Sequence, residues 1–391
     1  MGSVPLALEQ FLPEDGFSGT LVGRAWIPGK VAGPAVIALR EDGFYDLSDV
    51  APTMSGLLEL SDPAATVKQV RGPRAGSVAE LVGNSGAVFD PHKPYLLAPC
   101  DLQVIKAAGV TFASSLIERV IEEQARGDPA RAEAVRKQVV GVIGENLRAV
   151  KPGSPEALKI KQVLIKQGLW SQYLEVGIGT DAEVFTKAPV LSAVGTGTEI
   201  GIHPDSAWNN PEPEIVLAVN SRGEIMGASL GNDVNLRDFE GRSALLLPKA
   251  KDNNASCAIG PYLRLFDGTF SLDDVRRSTI NLLVKGVEGF ILRGASSMAQ
   301  ISRDPLDLVS QSMGRYHQYP DGMVLFLGTM FAPIEDRDQP GGGFTHKVGD
   351  VVYISSAKLG ALVNRVEFCD RIAPWVYGVG ALCKHLAAKG K

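Results

Sequence analysis

The sequence has little cysteine and no paired cysteine motif. Its four cysteines, Cys100, Cys257, Cys369 and Cys383, lie far apart in the 391-residue chain and form no CxxC pair. This spacing favours reduced, mostly buried thiols over disulfides or a structural zinc site. It also agrees with a cytoplasmic location, because disulfides persist mainly in oxidising compartments.

Long apolar runs and strong charge of one sign are also missing. The N-terminal segment has an acidic interruption and no basic region before a long apolar stretch, so neither a secretion signal nor a membrane span is expected. The formal net charge is only −5, and no Lys/Arg stripe alternates with aromatics, which argues against nucleic acid as the main partner. The segment GTGTEIG lacks the third glycine, the helix and the downstream acidic residue of a dinucleotide fingerprint, so no nucleotide cofactor is expected.

The length and the local patterns predict two domains. A chain of 391 residues with 45% hydrophobic content can hold one large domain and a smaller one. Residues 1–95 carry short β-type runs broken by glycine, proline and aspartate, which predict a small N-terminal α+β domain. Residues 96–391 form the predicted catalytic domain. Periodic apolar residues among dense charges predict amphipathic helices as an insertion over about residues 116–175.

Two glutamates stand together where an apolar strand begins. In NPEPEIVLAVN, Glu212 and Glu214 are two residues apart, so a strand would project both carboxylates from one face. Asp233 ends the next glycine-flanked segment, GASLGNDV, which is placed to form the paired strand. Three carboxylates can then converge on one hard cation, Mg²⁺ or Mn²⁺. A solvated turn is the alternative interpretation of the glutamate pair alone.

Three motifs in this order resemble the fumarylacetoacetate hydrolase superfamily: PEPEIVLAV, GNDVNLRD and KDNNASCAIGP. The segments FTKAPVLSAVG, LFLGTMFAP and HKVGDVV are similar to further strands of that superfamily, and the resemblance covers roughly residues 95–370 apart from the helical insertion. It implies an α+β, mostly β fold: a mixed β-roll with a small N-terminal α+β domain and a helical lid insertion. It also implies a homodimer or homotetramer.

The resemblance implies that Glu212, Glu214 and Asp233 hold Mg²⁺, with Mn²⁺ as the alternative, and that a 2-keto acid substrate chelates the ion. A divalent cation on a 2-keto group acidifies the C3 protons and stabilises the resulting enolate. Lys251 would stand beside that enolate, as the base or as a cationic clamp. Without the resemblance, Lys251 would be interpreted as an exposed lysine in the charged run PKAKD.

Two further residues are implied as substrate-binding groups. Thr329, in LGTMFAP, occupies the place where the family's strand presents a backbone and a hydroxyl to the substrate carboxylate. Lys187, in FTKAP, is also implied as a substrate-binding residue, although packing of the strand would equally explain its match to the family.

The chain departs from the family where hydrolytic members carry NYxxHxxE. The corresponding stretch is TFASSLIE, in which Glu118 keeps its place and Ser115 replaces the histidine. A serine hydroxyl is a poor general base at neutral pH, so attack by activated water on a carbon–carbon bond is not favoured. Glu118 is expected to act as a general acid or base. The sequence does not decide which of Glu118 and Lys251 is the acid and which is the base. A surface glutamate paired with a neighbouring lysine or arginine is the alternative.

An enolate without a water-activating histidine favours elimination. The helical insertion resembles that of dehydratases acting on 2-keto-3-deoxypentonate (2-keto-3-deoxyarabinonate), which implies a lyase yielding 2,5-dioxopentanoate (α-ketoglutarate semialdehyde) in non-phosphorylative pentose catabolism. One alternative is a Mg²⁺-dependent hydrolase of acylpyruvates or 2,4-diketo-3-deoxy sugar acids, with Ser115 or a lid residue positioning water. A distant alternative is a non-catalytic 2-keto acid binding protein, but Lys251 beside three carboxylates argues against it.

Overall fold

The computed structural model describes residues 7–86, 88–143, 150–166, 168, 170–329, 331, 333, 335–339 and 343–391. The strands are β1 (Leu21–Ile27), β2 (Gly33–Arg40), β3 (Gly43–Asp46), β4 (Arg74–Gly76), β5 (Tyr95–Leu97), β6 (Val104–Gly109), β7 (Glu183–Ala188), β8 (Glu199–Ile202), β9 (Asn209–Asn210), β10 (Pro213–Val219), β11 (Ile225–Asp233), β12 (Asn235–Leu236), β13 (Cys257–Leu265), β14 (Thr279–Lys285), β15 (Ile291–Ser297), β16 (Met323–Phe326), β17 (Val351–Ser356) and β18 (Gly360–Phe368). The α-helices are α1 (Leu8–Phe11), α2 (Met54–Leu58), α3 (Pro63–Gln69), α4 (Val78–Gly83), α5 (Ala113–Ala125), α6 (Pro129–Ile143), α7 (Pro155–Lys166), α8 (Gln172–Ile178), α9 (Arg237–Glu240), α10 (Leu247–Lys251), α11 (Leu272–Arg277), α12 (Pro305–Ser312) and α13 (Val379–Lys389).

Two sheets carry most of these strands. Within the described ranges, the larger sheet has 11 strands in the order β4-β3-β2-β1-β13-β11-β10-β16-β6-β7, with β5 paired to β1. The other large sheet has 5 strands in the order β15-β14-β17-β18-β8, and β12 pairs with β9. Most neighbours are antiparallel, but β16 pairs with β6, and β18 with β8, in parallel. This mixture agrees with the predicted mixed β-roll.

The main hydrophobic core lies between the two large sheets. Leu217 and Leu230 come from the 11-stranded sheet and Leu282 and Ile354 from the other, and all four are almost completely buried. Side chains alternate between the faces of a strand, so each sheet presents one apolar face to the other. Burial of each such side chain contributes about 1.5–3 kcal/mol. This core fixes the strands from which the candidate site is built.

The N-terminal strands continue the larger sheet. Strand β1 pairs with β2, where Leu21 lies opposite Leu39, and on its other side with β13, where Leu21 lies opposite Arg264. Residues predicted as a small N-terminal domain therefore share a sheet with the strands that follow the helical segment. The division at residue 95 stays a prediction.

Helices α5 to α8 occupy most of residues 113–178 and share a separate hydrophobic cluster. Val120, Leu174 and Ile178 are buried in it, and Trp208 closes it from the side of the sheets. Helix α5 ends where Arg126 adopts a left-handed conformation with φ 57°. The segment coincides with the predicted insertion over residues 116–175, and its action as a lid stays a prediction. In the described part of the chain, no helix combines the length and the apolar character required to cross a bilayer.

Candidate active site

The β10–β11 pair brings three carboxylates together. Glu214 lies opposite Gly231, and the carbonyl of Glu212 accepts a hydrogen bond from the Asp233 N–H at 3.1 Å. The three residues are 2–3% exposed, and one oxygen from each lies within 4.8 Å of the others. The placement expected from the two-residue spacing is therefore present in the structure.

Burial and mutual repulsion shape the charges of this group. Burial, followed by repulsion from Asp233 and Glu212, raises the pKa of Glu214 well above its usual value. Burial also opposes the charge on Asp233, but the attraction of Lys251 and Lys187 outweighs it and lowers the pKa of Asp233. Nearby lysines thus stabilise the negative charge of Asp233 more than that of Glu214.

Gly328 supplies a backbone donor to Glu214. Its N–H donates to Glu214 Oε2 at 2.7 Å. Gly328 has φ +87°, and a Cβ at this position would lie 2.0 Å from Thr111 Oγ1. Both the backbone conformation and the space therefore require glycine. The segment after β16 is in this way held against the carboxylate group.

The carboxylate group fits a hard divalent cation. Glu214 has no cationic side chain within 4.0 Å among the described residues, although a buried carboxylate is costly unless it is paired or bound to a metal. Carboxylate oxygens are the ligands that Mg²⁺ and Mn²⁺ prefer. Glu212, Glu214 and Asp233 could therefore hold either ion.

Lys251 lies directly beside these carboxylates. Its Nζ is 2.5 Å from Glu212 Oε2 and 3.0 Å from Asp233 Oδ2, and the residue is 3% exposed. Burial alone would lower the pKa of Lys251, but attraction to the carboxylates, led by Asp233, outweighs burial and raises it. Lys251 is therefore buried and is not the exposed lysine that the charged run PKAKD alone suggested.

Lys187 lies behind the carboxylate group. It is fully buried, and its Nζ is 3.0 Å from Asp233 Oδ1 and 3.3 Å from the Val234 carbonyl. It also donates to the carbonyl of Lys251. It does not belong to the described lining of the cavity in front of the carboxylates. These contacts favour positioning of Asp233 and Lys251 over the predicted contact with substrate.

Thr329 and Ser115 both line the cavity, as the sequence analysis expected of site residues. Thr329 Oγ1 accepts a hydrogen bond from the Phe331 N–H at 3.1 Å. Ser115 Oγ donates to the Phe112 carbonyl at 3.0 Å, within its own helix. The Ser115 hydroxyl is therefore engaged by the backbone. Thr329 directly follows Gly328, whose N–H donates to Glu214.

Glu118 forms ion pairs with two arginines. Its carboxylate is 2.7 Å from Arg136 Nη2 and 3.4 Å from Arg237 Nη2. The described cavity lining does not include it. This position matches the ion-pair alternative considered for Glu118, and its predicted catalytic role gains no support from the geometry.

Glu183 is a cavity residue that the sequence analysis did not select. Glu183 lines the cavity on β7, opposite Gly109 of β6. Burial, followed by repulsion from Glu240, raises the pKa of Glu183 to about 7. Alternation in EVFTKA places Glu183 on the same face as Phe185, which also lines the cavity, but it does not show that this face meets the carboxylates.

Arg119 and Glu240 were also missed. Arg119 binds Glu212 closely, and its Nη1 is 2.7 Å from Glu122 Oε2 and 3.2 Å from Glu240 Oε2. Arg119 follows Ser115 by four residues, so helical periodicity places both on the same face of α5. Glu240 gave no comparable signal, because it lies in a short helix after the GNDVNLRD motif.

The cavity itself is small. It encloses about 20 Å³, close to the space for a single water molecule. None of the five histidines belongs to its described lining. The described lining of the site therefore combines a carboxylate group, a lysine, an arginine and a further glutamate of raised pKa, and contains no imidazole.

The comparisons with known proteins agree with this architecture. The family model described as fumarylacetoacetate (FAA) hydrolase C-terminal matches residues 179–367. A protein of Haloferax volcanii named "Probable 2-keto-3-deoxyxylonate dehydratase" is 32% identical over 330 residues, which cover 84% of this chain and 94% of that protein. The chain belongs to the fumarylacetoacetate hydrolase superfamily, and the predicted family is confirmed.

Other relatives agree with this assignment. The 2-dehydro-3-deoxy-D-arabinonate dehydratase of Saccharolobus solfataricus is 30% identical over 187 residues, covering 47% of this chain and 58% of that enzyme. Among solved structures, an apo 2-keto-3-deoxy-D-arabinonate dehydratase matches with a TM-score of 0.60 and 20% identity, covering 89% of this chain and 99% of the other. The same dehydratase complexed with magnesium and 2,5-dioxopentanoate matches with a TM-score of 0.58, 21% identity and the same coverage of both chains. The predicted fold class is confirmed.

Proposed function

We propose that this protein is a Mg²⁺-dependent dehydratase that converts a 2-keto-3-deoxypentonate into 2,5-dioxopentanoate. The observation that carries the proposal is the enclosed grouping of Glu212, Glu214 and Asp233 with Lys251 and Glu183. Such a grouping supplies a metal site and two proton-transfer groups of different charge. The absence of histidine from the described cavity lining favours elimination over hydrolysis.

The relatives support the substrate class. The Haloferax and Saccharolobus proteins are both named as dehydratases of 2-keto-3-deoxy pentonates. The structure with magnesium and 2,5-dioxopentanoate has the same fold and holds the ion and the product that the proposal requires.

Glu212, Glu214 and Asp233 would hold the cation. When bound, Mg²⁺ supplies Lewis-acid polarisation of the 2-keto group, which makes the C3 protons more acidic. Thr329, on the cavity wall beside Gly328, would bind the substrate carboxylate. Lys187 would keep Asp233 in place from behind the site.

Lys251 would remove one C3 proton. In the present arrangement Glu212 and Asp233 stabilise its ammonium form. Once these carboxylates share their charge with a cation, Lys251 loses much of that stabilisation and becomes a better base. Its proximity to the carboxylates also places it next to the carbon that loses the proton.

Glu183 would donate the proton that the leaving group needs. Its raised pKa, to about 7, keeps a substantial fraction of the carboxyl protonated near neutral pH. The C3–H bond breaks toward Lys251, a C3–C4 double bond forms, and the C4 hydroxyl leaves as water with the proton from Glu183. Tautomerisation then gives the aldehyde. We assign this role to Glu183 in preference to Glu118, because Glu118 is held by two arginines outside the described lining.

The wider setting of the reaction belongs to the same proposal. A pentonate dehydratase that yields 2,5-dioxopentanoate would serve non-phosphorylative pentose catabolism in the cytoplasm. The superfamily resemblance supports a homodimer or homotetramer, and neither nucleic acid nor a membrane is a proposed partner.

Proton NMR of the purified protein with Mg²⁺ and racemic 2-keto-3-deoxypentonate tests the proposal. We expect an aldehyde signal, or that of its hydrate, with half of the racemate consumed and no reaction after EDTA. Pyruvate released from an acylpyruvate or a 2,4-diketo-3-deoxy sugar acid would instead favour the hydrolase and give Ser115 a role in positioning water. Binding without turnover of any of these compounds would leave a 2-keto acid binding protein.

A further inference from the structure

Arg119 connects helix α5 to the carboxylate group of the site. It belongs to α5, whereas Glu212 and Glu240 belong to the segments around β10 and α9. The guanidinium binds Glu212 closely and lies 3.2 Å from Glu240. Its side chain is 13% exposed, so these pairs are shielded from water. Its position therefore links the helical segment to the proposed metal site.

The present contact of Arg119 with Glu212 opposes the binding of a divalent cation by Glu212. Lys251 already shares this carboxylate at 2.5 Å. Like charges a few ångströms apart in a site of low polarity repel each other strongly. The cavity of about 20 Å³ is also too small for a five-carbon acid, and Arg119 is one of the residues that line it. Movement of the guanidinium away from Glu212 would therefore favour loading of the site.

Glu240 offers the alternative partner. It is 4% exposed and lines the same cavity as Arg119. Although Arg119 Nη1 is within 3.2 Å, Glu240 Oε2 accepts no hydrogen bond from any described residue. A buried carboxylate oxygen without a donor is costly. A small rotation of the guanidinium would satisfy it.

Glu122 makes that rotation possible without loss of the arginine's anchor. Its Oε2 accepts from Arg119 at 2.7 Å, and its Oε1 accepts from Arg237 at 2.6 Å. Arg119 can therefore turn about its contact with Glu122 from one carboxylate to the other. The ion pair that Arg119 would lose with Glu212 would be replaced by one with Glu240.

We infer that Glu240 is a positioning residue that receives Arg119 when a divalent cation binds Glu212, and that metal binding thereby changes the ion pair that ties helix α5 to the site. The inference rests on the proposed metal-dependent function. It assigns Glu240 no contact with the metal or the reacting atoms. Its effect on the reaction passes through Arg119.

A double-mutant cycle on metal affinity separates this role from simple attraction between Glu240 and the cation. The probe is Mn²⁺ alone, titrated by calorimetry into the wild-type chain, Glu240→Gln, Arg119→Gln and the double variant. We expect Glu240→Gln to weaken Mn²⁺ binding about tenfold in the wild-type background and to have little effect in the Arg119→Gln background. Equal weakening in both backgrounds would show attraction alone and overturn the inference.

Hydrogen exchange on the unmodified protein provides a second measurement that does not depend on the folding of variants. Mn²⁺ is expected to change the protection of amides in α5, with little change in the distant helix α13. Unchanged protection in α5 at saturating Mn²⁺ would overturn the inference while leaving the proposed function intact. A wild-type chain that binds no divalent cation would overturn the proposed function itself.

Discussion

Glu183 lies opposite Gly109 in the pairing of β6 and β7, and the glycine leaves the space that the Glu183 carboxylate occupies. A Cβ on residue 109 would stand 2.1 Å from Glu183 Oε2. The position of the proposed acid is thus set by a missing side chain on the neighbouring strand.

Gly109→Ala should therefore displace Glu183 and lower kcat by about a hundredfold, because small misplacements of a reacting group carry costs of this size. The rate of dehydration of 2-keto-3-deoxypentonate, monitored through the aldehyde product, measures the effect. Gly380→Ala in α13 is the matched control, since a Cβ there meets nothing within 4 Å. Equal rates for Gly109→Ala and the wild type would contradict the placement of Glu183.

Glu183→Gln should lower kcat by about 10²–10⁴-fold, the usual contribution of a general acid. Glu118→Gln should change kcat only slightly, because its carboxylate pairs with Arg136 and Arg237 outside the described lining. Steady-state kinetics of the two variants compare the roles directly. A severe loss in Glu118→Gln with a mild one in Glu183→Gln would restore the role first predicted for Glu118.

The pH dependence of the rate should have a descending limb near pH 7. The pKa of Glu183 is raised to about 7, and an acid is active only when protonated, so activity falls as pH rises through that value. A profile of kcat/KM between pH 5 and 9, which reports the groups of the free enzyme, measures the limb, and Glu183→Gln should lack it. A wild-type rate that rises steadily across this range would contradict the assignment.

Glu214→Gln should weaken Mg²⁺ binding by at least about a hundredfold, since even residues outside the ligand set alter metal affinity by 10–100-fold. Calorimetric titration of Mg²⁺ into each protein, without substrate, compares the affinities of the variant and the wild type. Glu224→Gln is the control, because Glu224 lies in the turn of the same hairpin and its side chain is 58% exposed. Full metal affinity in Glu214→Gln would mean that the cation site is elsewhere.

Lys187→Met should lower the free energy of unfolding by about 3–5 kcal/mol, because it leaves Asp233 buried without one of its two lysine partners. Urea denaturation measures the loss. Lys106→Met, which removes an exposed hydrogen bond to Thr186, should stay within about 0.5 kcal/mol of the wild type. Similar free energies of unfolding for the two variants would contradict the positioning role of Lys187.

The carboxylate group was predictable from sequence because its geometry is local. Glu212 and Glu214 follow strand alternation, and Asp233 ends the paired strand, so spacing alone brings them together. Lys251 required the superfamily resemblance, since its own surroundings in PKAKD suggested an exposed lysine. The family and the fold class were recoverable in the same way, from the order of three motifs.

Glu183, Arg119 and Glu240 depend on contacts between distant segments, which sequence spacing does not encode. The pairing of β6 with β7 fixes Glu183, and the docking of α5 fixes Arg119. Glu118 was chosen because a family motif placed a glutamate there, and that motif gave no indication of its ion pairs with Arg136 and Arg237. Its catalytic role stays a prediction.

The pairing of β1 with both β2 and β13 has a practical consequence for protein engineering. A fragment that starts at residue 96 would remove β1 and leave Leu263 and Arg264 of β13 without their backbone partners. Exposed strand edges of this kind recruit other chains and promote aggregation. Attempts to express the catalytic segment alone should therefore retain the N-terminal strands.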